Sequence, residues 1–500
     1  SLLNEVVIAN KLRLRLPIEA STSAGTPSLA SGPSVRESAT NVRILSPMRI
    51  VRRCSAALAA ASLGACSLDL QNPNSPTEEQ VTTSVDGVIA LATGLQARFA
   101  TSYFSYAYMA GLVTDEFAST TAALISISDA EQGAVPSGTG IAENVFNSIY
   151  RTVRTADDLL TGADALADQI DPGTRSGLRA LAFALKGEAL GEALQSYQRI
   201  PINTFGVTAP TYVGRAEALT FVRALLDSAA ATISATAPST LFNRSILTPG
   251  VNLPNVIQLF RARYARVARD DATALAAANL VARTGPTALS LLTFPAPAVN
   301  PYASVTGGTN GIAPRRQWRT SMPSQDQRFV YFVTPSTTAT GRVGALLDPW
   351  NRYAGPQAPL AVYFPDEALL IKAEALANQN QLAAAQAALD SVRTDCTGGR
   401  GIDDPKACLP ALAGQLTQVQ LLTEIYVQRR YELLGTGLRW EDSRRRNAIR
   451  GPAAAPAVPV DGQRCWLPYA IGDRNANPNA TFSALPDPTE PSTFPSGCAL

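Results

Sequence analysis

Histidine is absent from all 500 residues. That removes the Ser-His-Asp and Cys-His nucleophile systems and every zinc site that uses an imidazole. Lysine is nearly absent too. Beyond residue 65 there are only Lys186, Lys372 and Lys406, none of them in a Gly-x-x-x-x-Gly-Lys phosphate loop. The two Gly-Thr-Gly runs, at Gly138 and Gly435, lack the third glycine of a dinucleotide fingerprint and read as turns. Tryptophan occurs four times. No basic stripe stands out, so no nucleic acid partner is expected. No run of about twenty apolar residues, the length needed to cross a bilayer as a helix, stands out either. Serine and carboxylate chemistry survive these exclusions, but the usual proton shuttle does not. No catalytic residue, metal ligand set or cofactor is expected.

Conspicuous instead is "MRIVRRCSAALAAASLGACSLDLQNPNSP", beginning at Met48. Arg49, Arg52 and Arg53 precede an uncharged run over residues 54–65, a lone Cys66 and a polar stretch. A basic segment, a short apolar one and small residues before a cut describe a secretory signal. Leu63-Gly64-Ala65-Cys66 resembles the bacterial lipoprotein box, in which the thiol is acylated and becomes the new N-terminus. Residues 48–65 are therefore expected to be the signal peptide and Cys66 the lipid anchor. Residues 1–47 are expected to be a non-native or disordered leader. Residues 66–500 carry 34 basic and 37 acidic residues, a net charge of −3.

Four further cysteines, Cys396, Cys408, Cys465 and Cys498, suit an exported chain. Cys396 and Cys408 bracket "CTGGRGIDDPKAC" and are expected to pair locally, leaving Cys465 and Cys498 to staple the tail. Zinc bound by all four is the competing reading, but no Cys-x-x-Cys knuckle supports it.

The chain after residue 76 reads as helices. In "ENVFNSIYRTVRTADDLL", Val145, Phe146, Ile149, Tyr150, Val153, Ala156, Leu159 and Leu160 form one apolar stripe. Other helices are expected at 77–110, 176–194, 214–235, 256–282, 366–378, 382–395 and 418–434. Residues 284–364 are instead dense in Pro, Gly, Ser and Thr, with β-prone runs such as "RFVYFVT", and read as a functional insert. The pair "FPDEALLIKAEALANQNQLAAAQAALDSVR" (364–393) resembles a tetratricopeptide unit.

Several segments in order resemble the SusD/RagB family of outer-membrane nutrient-uptake lipoproteins. They are the cysteine with "SLDLQNPNSPT", then "GLVTDEF", "IYRTVRTADDLL", "LRALAFALKGEALGEALQSYQRIPI" and "DQRFVYF". The strongest is "VQRRYELLGTGLRWEDSRR" (427–445), which keeps Arg429, Glu432, Leu433, Gly437, Arg439, Trp440, Asp442 and Arg445 of the family pattern and departs at Gln428, Thr436 and Ser443. "CWLPYAIGDRNANPN" follows. Physically the 427–445 stretch reads as structural: a helix ending at Gly435 or Gly437, Trp440 as anchor, and Glu432, Arg439 and Asp442 satisfying one another.

The resemblance implies an all-α fold, a tetratricopeptide-like helical superhelix with irregular, loop-rich inserts. It divides the binding domain 66–500 into a helical part (66–283), the insert (284–364) and a SusD/RagB-like part (365–500). It also implies a surface-exposed lipoprotein of the bacterial outer membrane that passes a glycan or other nutrient oligomer to a SusC-like, TonB-dependent transporter. A lipid-anchored glycosidase using two carboxylates and a tetratricopeptide-type peptide adaptor are the alternatives. The ligand is expected on the insert and the loop after Gly111, with Asp115, Trp318, Trp350 and Tyr353 as contacts. The competing reading is that these rings pin the insert to the helices and that Asp115 makes a loop contact.

The anchor has a direct test. Expressed from Met48 with labelled palmitate, the protein should take up label. Cys66→Ser should lose both label and membrane association, and label retained in that variant overturns the assignment.

Overall fold

The computed structural model describes residues 81–133, 135, 140–285, 288–396, 404–446 and 465–479. The leader, the signal segment, Cys66 and Cys498 lie outside the described residues. The first long helix, α1 (Val85–Val113), starts where the Ser84 side chain accepts a hydrogen bond from the Gly87 N–H. From Tyr106 onward it is buried on every side. After β1 (Phe117–Ser119) and α2 (Ile125–Glu131) comes α3 (Gly140–Ala165), whose buried face carries the stripe Val145, Phe146, Ile149, Val153, Ala156 and Leu159. In α4 (Pro172–Ser196), Asp171 caps the Thr174 N–H at 2.9 Å and Pro172 occupies the first turn, where no N–H is needed. Gly191 of α4 lies against the Tyr264 ring, so close that any Cβ would overlap the phenol.

The strands β2 (Arg199–Pro201) and β3 (Tyr212–Gly214) pair antiparallel and lead into α5 (Arg215–Ala235). By length and composition α5 could cross a membrane, contrary to the sequence expectation. It instead packs on α4 and on α6 (Leu253–Val267), with ion pairs from Arg223 to Asp270 and from Arg261 to Asp227. The single helix expected at 256–282 is two. Arg269 takes φ +60° and Asp270 then caps α7 (Asp271–Leu280), accepting from the Thr273 N–H at 3.0 Å.

The insert holds β4 (Leu291–Leu292), β5 (Ile312–Pro314), α8 (Arg316–Thr320), α9 (Arg328–Phe332) and β6 (Leu360–Ala361). β5 pairs with β1, Ala313 opposite Ala118, and β4 pairs with β6. The β-prone run "RFVYFVT" is a helical turn, not a strand. Asp326 accepts from the Arg328 N–H at 3.1 Å and binds its guanidinium, and the turn drives Phe332 between Trp318 and Phe364. Tertiary packing overrides the β propensity here.

The tetratricopeptide-like pair is α10 (Pro365–Asn378) and α11 (Leu382–Arg393), joined by a turn with Asn380 at φ +59°. Together with α12 (Gln418–Glu432) they enclose a second apolar core that includes Leu369, Leu376, Ala385, Leu389 and Leu421. Cys396 and Cys408 are bonded, with Cα atoms 4.5 Å apart. A reciprocal Thr417–Gln420 capping box opens α12. Gly437, at φ +78° against the Tyr106 ring, turns the chain into α13 (Leu438–Arg445). A short helix, α14 (Ile471–Ala476), follows.

Around this turn the carboxylates choose partners other than those expected. Glu432 binds Arg328, while Asp442 binds Arg429 at 2.6 Å and also Arg266. Arg439 lies over the Tyr426 ring at 4.2 Å. Only in three dimensions do Arg266 and Arg328 reach the motif. Trp440 is fully buried, as an anchor should be.

Glu116 is the exception to this pairing of acids with bases. Burial pushes its carboxyl up to about 7, and the Arg439 and Arg430 guanidiniums pull it only part of the way back, with Asp442 opposing them. A raised folded-state value means stability that is full below the ordinary glutamate range and lost as pH rises through 7. Relative to Glu116→Gln, the wild type should therefore lose about 2–3 kcal/mol between pH 4.5 and pH 7.5. Urea denaturation of both proteins across that range measures the difference, and parallel curves exclude it.

Candidate functional site

The α9 turn presents one side chain inward and the next outward. Phe332 is buried, whereas Tyr331 is half-buried and Val330 is exposed. Tyr331 stands edge-on to Phe332 and Phe364, which fixes its ring. Arg352 crosses that ring with its guanidinium carbon 4.8 Å from the centroid. The backbone of Asn351 and Arg352 is held by N–H bonds to the Phe332 carbonyl.

Facing these residues is the end of the loop that the disulfide closes, from Asp404 to Cys408. The Gln327 N–H donates to the Ala407 carbonyl at 3.2 Å, and the Cys408 and Leu409 N–H groups donate to the carbonyls of Asp395 and Arg393. The bond between Cys396 and Cys408 thus ties one wall to the end of α11. Lys406 binds Asp404 and, at 3.1 Å, Asp395. Burial opposes the Lys406 charge, but the two aspartates outweigh it and raise the ammonium above its ordinary range. Between the walls is an open cavity of about 440 Å³, lined by Gln327, Tyr331, Asn351, Arg352, Asp404 and Lys406.

A ring face beside amide, guanidinium and ammonium donors suits a ligand with apolar ring faces and many hydroxyls. Asp366, Asp395 and Asp404 bring carboxylate oxygens within 4.8 Å of one another, the one such grouping among the described residues. Oxygen donors of this kind suit a hard cation. The Lys406 ammonium already sits on two of the three.

The expected ligand rings lie elsewhere. Trp318, Trp350 and Tyr353 are buried, with exposures of 1%, 5% and 2%. Trp318 donates its indole N–H to the Arg430 carbonyl at 3.0 Å and stands edge-on to Phe332. Trp350 packs between Phe117, Tyr302 and Tyr353, and Tyr353 stacks on Tyr302 at 4.5 Å. The expectation of solvent-facing rings is therefore corrected: these aromatics pin the insert to α1, β1 and α12. Asp115, at φ +58°, makes a loop contact with Arg315 at 3.3 Å. Tyr331 and Arg352, which line the cavity, were passed over in sequence. The signal available was the adjacency of Tyr331 to Phe332 in "RFVYF", because neighbouring side chains point to different sides in a helix and in a strand alike.

Trp318→Ala and Trp350→Ala should each cost about 3–5 kcal/mol, whereas Asp115→Ala should stay within about 0.5 kcal/mol. Equilibrium urea unfolding distinguishes these values. Wild-type stability in both tryptophan variants would return the rings to a ligand surface.

Comparison with known proteins agrees with this architecture. Residues 366–459 match the model of the SusD family. No curated protein matches the sequence. Among solved structures, a SusD superfamily protein from Bacteroides thetaiotaomicron superposes with a TM-score of 0.62 at 15% identity, covering 79% of this chain and 99% of that one. NanU from B. fragilis gives 0.60 at 12% identity over 82% and 98%. A SusD-like carbohydrate binding protein from Bacteroides vulgatus gives 0.57 at 15% identity over 73% and 84%. The chain therefore has the SusD superfamily fold, and its residues 366–459 carry the sequence pattern of the SusD family.

Proposed function

We propose that this protein is a binding module for saccharides, using the cavity between Tyr331, Arg352 and Lys406, and that it serves nutrient uptake rather than catalysis. The observation that carries the reading is the pairing of that cavity with the SusD-type fold. A fixed ring and flanking donors grip pyranose faces and hydroxyls without any proton shuttle. One relative of the same fold is named a carbohydrate binding protein, which points to the same ligand class.

The rest of the reading follows from the resemblance and the leader. Cys66 anchors the chain to the outer membrane, facing outward, and the helical scaffold docks on a SusC-like TonB-dependent transporter to which the ligand is delivered. Peptides and other oligomers are the competing cargo.

Calorimetric titration with a panel of neutral and acidic oligosaccharides tests the binding reading. At least one should bind, and Tyr331→Ala should weaken it tenfold or more while the melting temperature stays within a few degrees. No binding across the panel, affinity unchanged in Tyr331→Ala, or turnover of a bound glycan would overturn it.

A further inference from the structure

A second opening lies away from the Tyr331 cavity, where the α6–α7 turn, the end of α10, the middle of α12 and the end of α13 meet. Its mouth is a cavity of about 320 Å³ lined by Arg269, Asp271, Asn378, Leu422, Arg445 and Arg446. Sharing Glu374, Leu422, Arg445 and Arg446 with it is a smaller cavity of about 20 Å³, which Arg266, Tyr426 and Arg429 also line. Five guanidiniums line the two cavities (Arg266, Arg269, Arg429, Arg445 and Arg446), against the carboxylates of Asp271 and Glu374 with Asp442 behind them. Positive charge is in excess.

Arg429 is the unusual member. Its side chain is 1% exposed, and Nε donates to Asp442 at 2.6 Å. Nη1 and Nη2 are both buried and have no partner. Burial, and next the neighbouring Arg266, lower its pKa from the ordinary arginine range. A buried guanidinium with two unpaired nitrogens is costly, and proteins rarely leave such donors unmet. Arg445 is half-satisfied in the same way: Nη2 binds Glu374 at 2.6 Å and Nε has no partner.

We propose that this opening is a binding site for a carboxylate-bearing small molecule of the hexuronate class, seated with its carboxylate on Nη1 and Nη2 of Arg429. The two nitrogens present a planar fork that a carboxylate meets with both oxygens. The smaller cavity admits a group little larger than a water molecule, which favours a flat carboxylate over a bulkier tetrahedral phosphate. The larger cavity then holds the ring, with Asn378 and Arg269 for its hydroxyls and Leu422 for its apolar face. This site is separate from the Tyr331 cavity and does not depend on it.

Titration of the full chain with glucuronate, glucose and inorganic phosphate, followed by calorimetry and thermal unfolding, tests the assignment. Glucuronate should bind and raise the melting temperature, and glucose should bind at least tenfold more weakly. Arg429→Lys keeps the charge but loses the fork, and should weaken glucuronate binding at least tenfold. The double variant Arg269→Ala/Arg446→Ala changes only exposed side chains, so it should fold normally and still bind several-fold more weakly. Repeated in Tyr331→Ala, where the saccharide cavity has lost its ring, the titrations should keep the same order, glucuronate over glucose, which separates this site from that cavity. Equal response to glucose, phosphate binding as tight as glucuronate, or affinity unaffected in the double variant would overturn the proposal.

Discussion

The buried arginine–carboxylate lattice between the N-terminal helices and the 427–445 motif is the constraint on which the rest of the structure depends. Arg263 of α6 donates to Glu367 of α10 through Nε and Nη2, at 2.8 and 2.7 Å, and to Glu188 of α4 through Nη1. One turn on, Arg266 joins Glu374 of α10 to Asp442 of α13. Arg215 and Arg444 both hold Glu441, and Arg444 also donates to the carbonyls of Gln195 and Cys465. Four long helices are thereby registered against one short one. Burial works against ionisation of Glu441 and Asp442, but the guanidiniums outweigh it and hold both carboxyls below their ordinary range. Such pairs add little net stability over an apolar core, yet losing one partner costs about 3–5 kcal/mol. The lattice therefore penalises every other packing of these helices more than it strengthens this one.

The insert is joined to that frame by different means. Its short strands and turns cannot bury enough backbone on their own, so aromatic side chains carry the attachment. Trp318 bonds to the last turn of α12, Tyr302 donates to the Gly435 carbonyl, and Trp350 closes on Phe117. Arg319 and Arg316 meet buried Asp348, which also accepts from the Ser336 N–H. The loop-rich surface thus rests on a rigid base. The Tyr331 cavity forms where this base meets the disulfide-tied segment, with hydrogen-bonded backbone on both walls. A ring and a guanidinium held in place in this way lose little entropy on binding.

The two openings differ in chemistry because the helices around them differ. Near Tyr331 the cations are matched: Lys406 is spent on two aspartates and Arg352 lies on a ring. Between α12 and α13 the 427–445 stretch brings several arginines together, and Glu374 must serve both Arg266 and Arg445. An excess of guanidinium in a narrow, buried place sets the sign of whatever fills it.

The sequence by itself determined most of the long helices, though not the break at Arg269, together with the apolar stripe of α3, the tetratricopeptide-like pair and the SusD-like order of segments. Each of these rests on local spacing, which three-to-four periodicity and capping residues encode directly. It also marked residues 284–364 as irregular, from Pro, Gly, Ser and Thr density alone. What it could not determine was which side of a short turn faces solvent. In "RFVYFVT" a strand and a helix both set Tyr331 apart from Phe332, and contacts from Trp318 and Phe364 decide that Phe332 is the buried one. The same holds for Trp350 and Tyr353, whose loop-like surroundings in sequence gave no sign of Tyr302 and Phe117 closing over them. Glu432 takes Arg328 from 104 positions away, and Asp442 adds to its near neighbour Arg429 the distant Arg266, 176 positions away. Burial and charge pairing at such separations belong to the tertiary structure, because no local pattern records which distant side chain arrives.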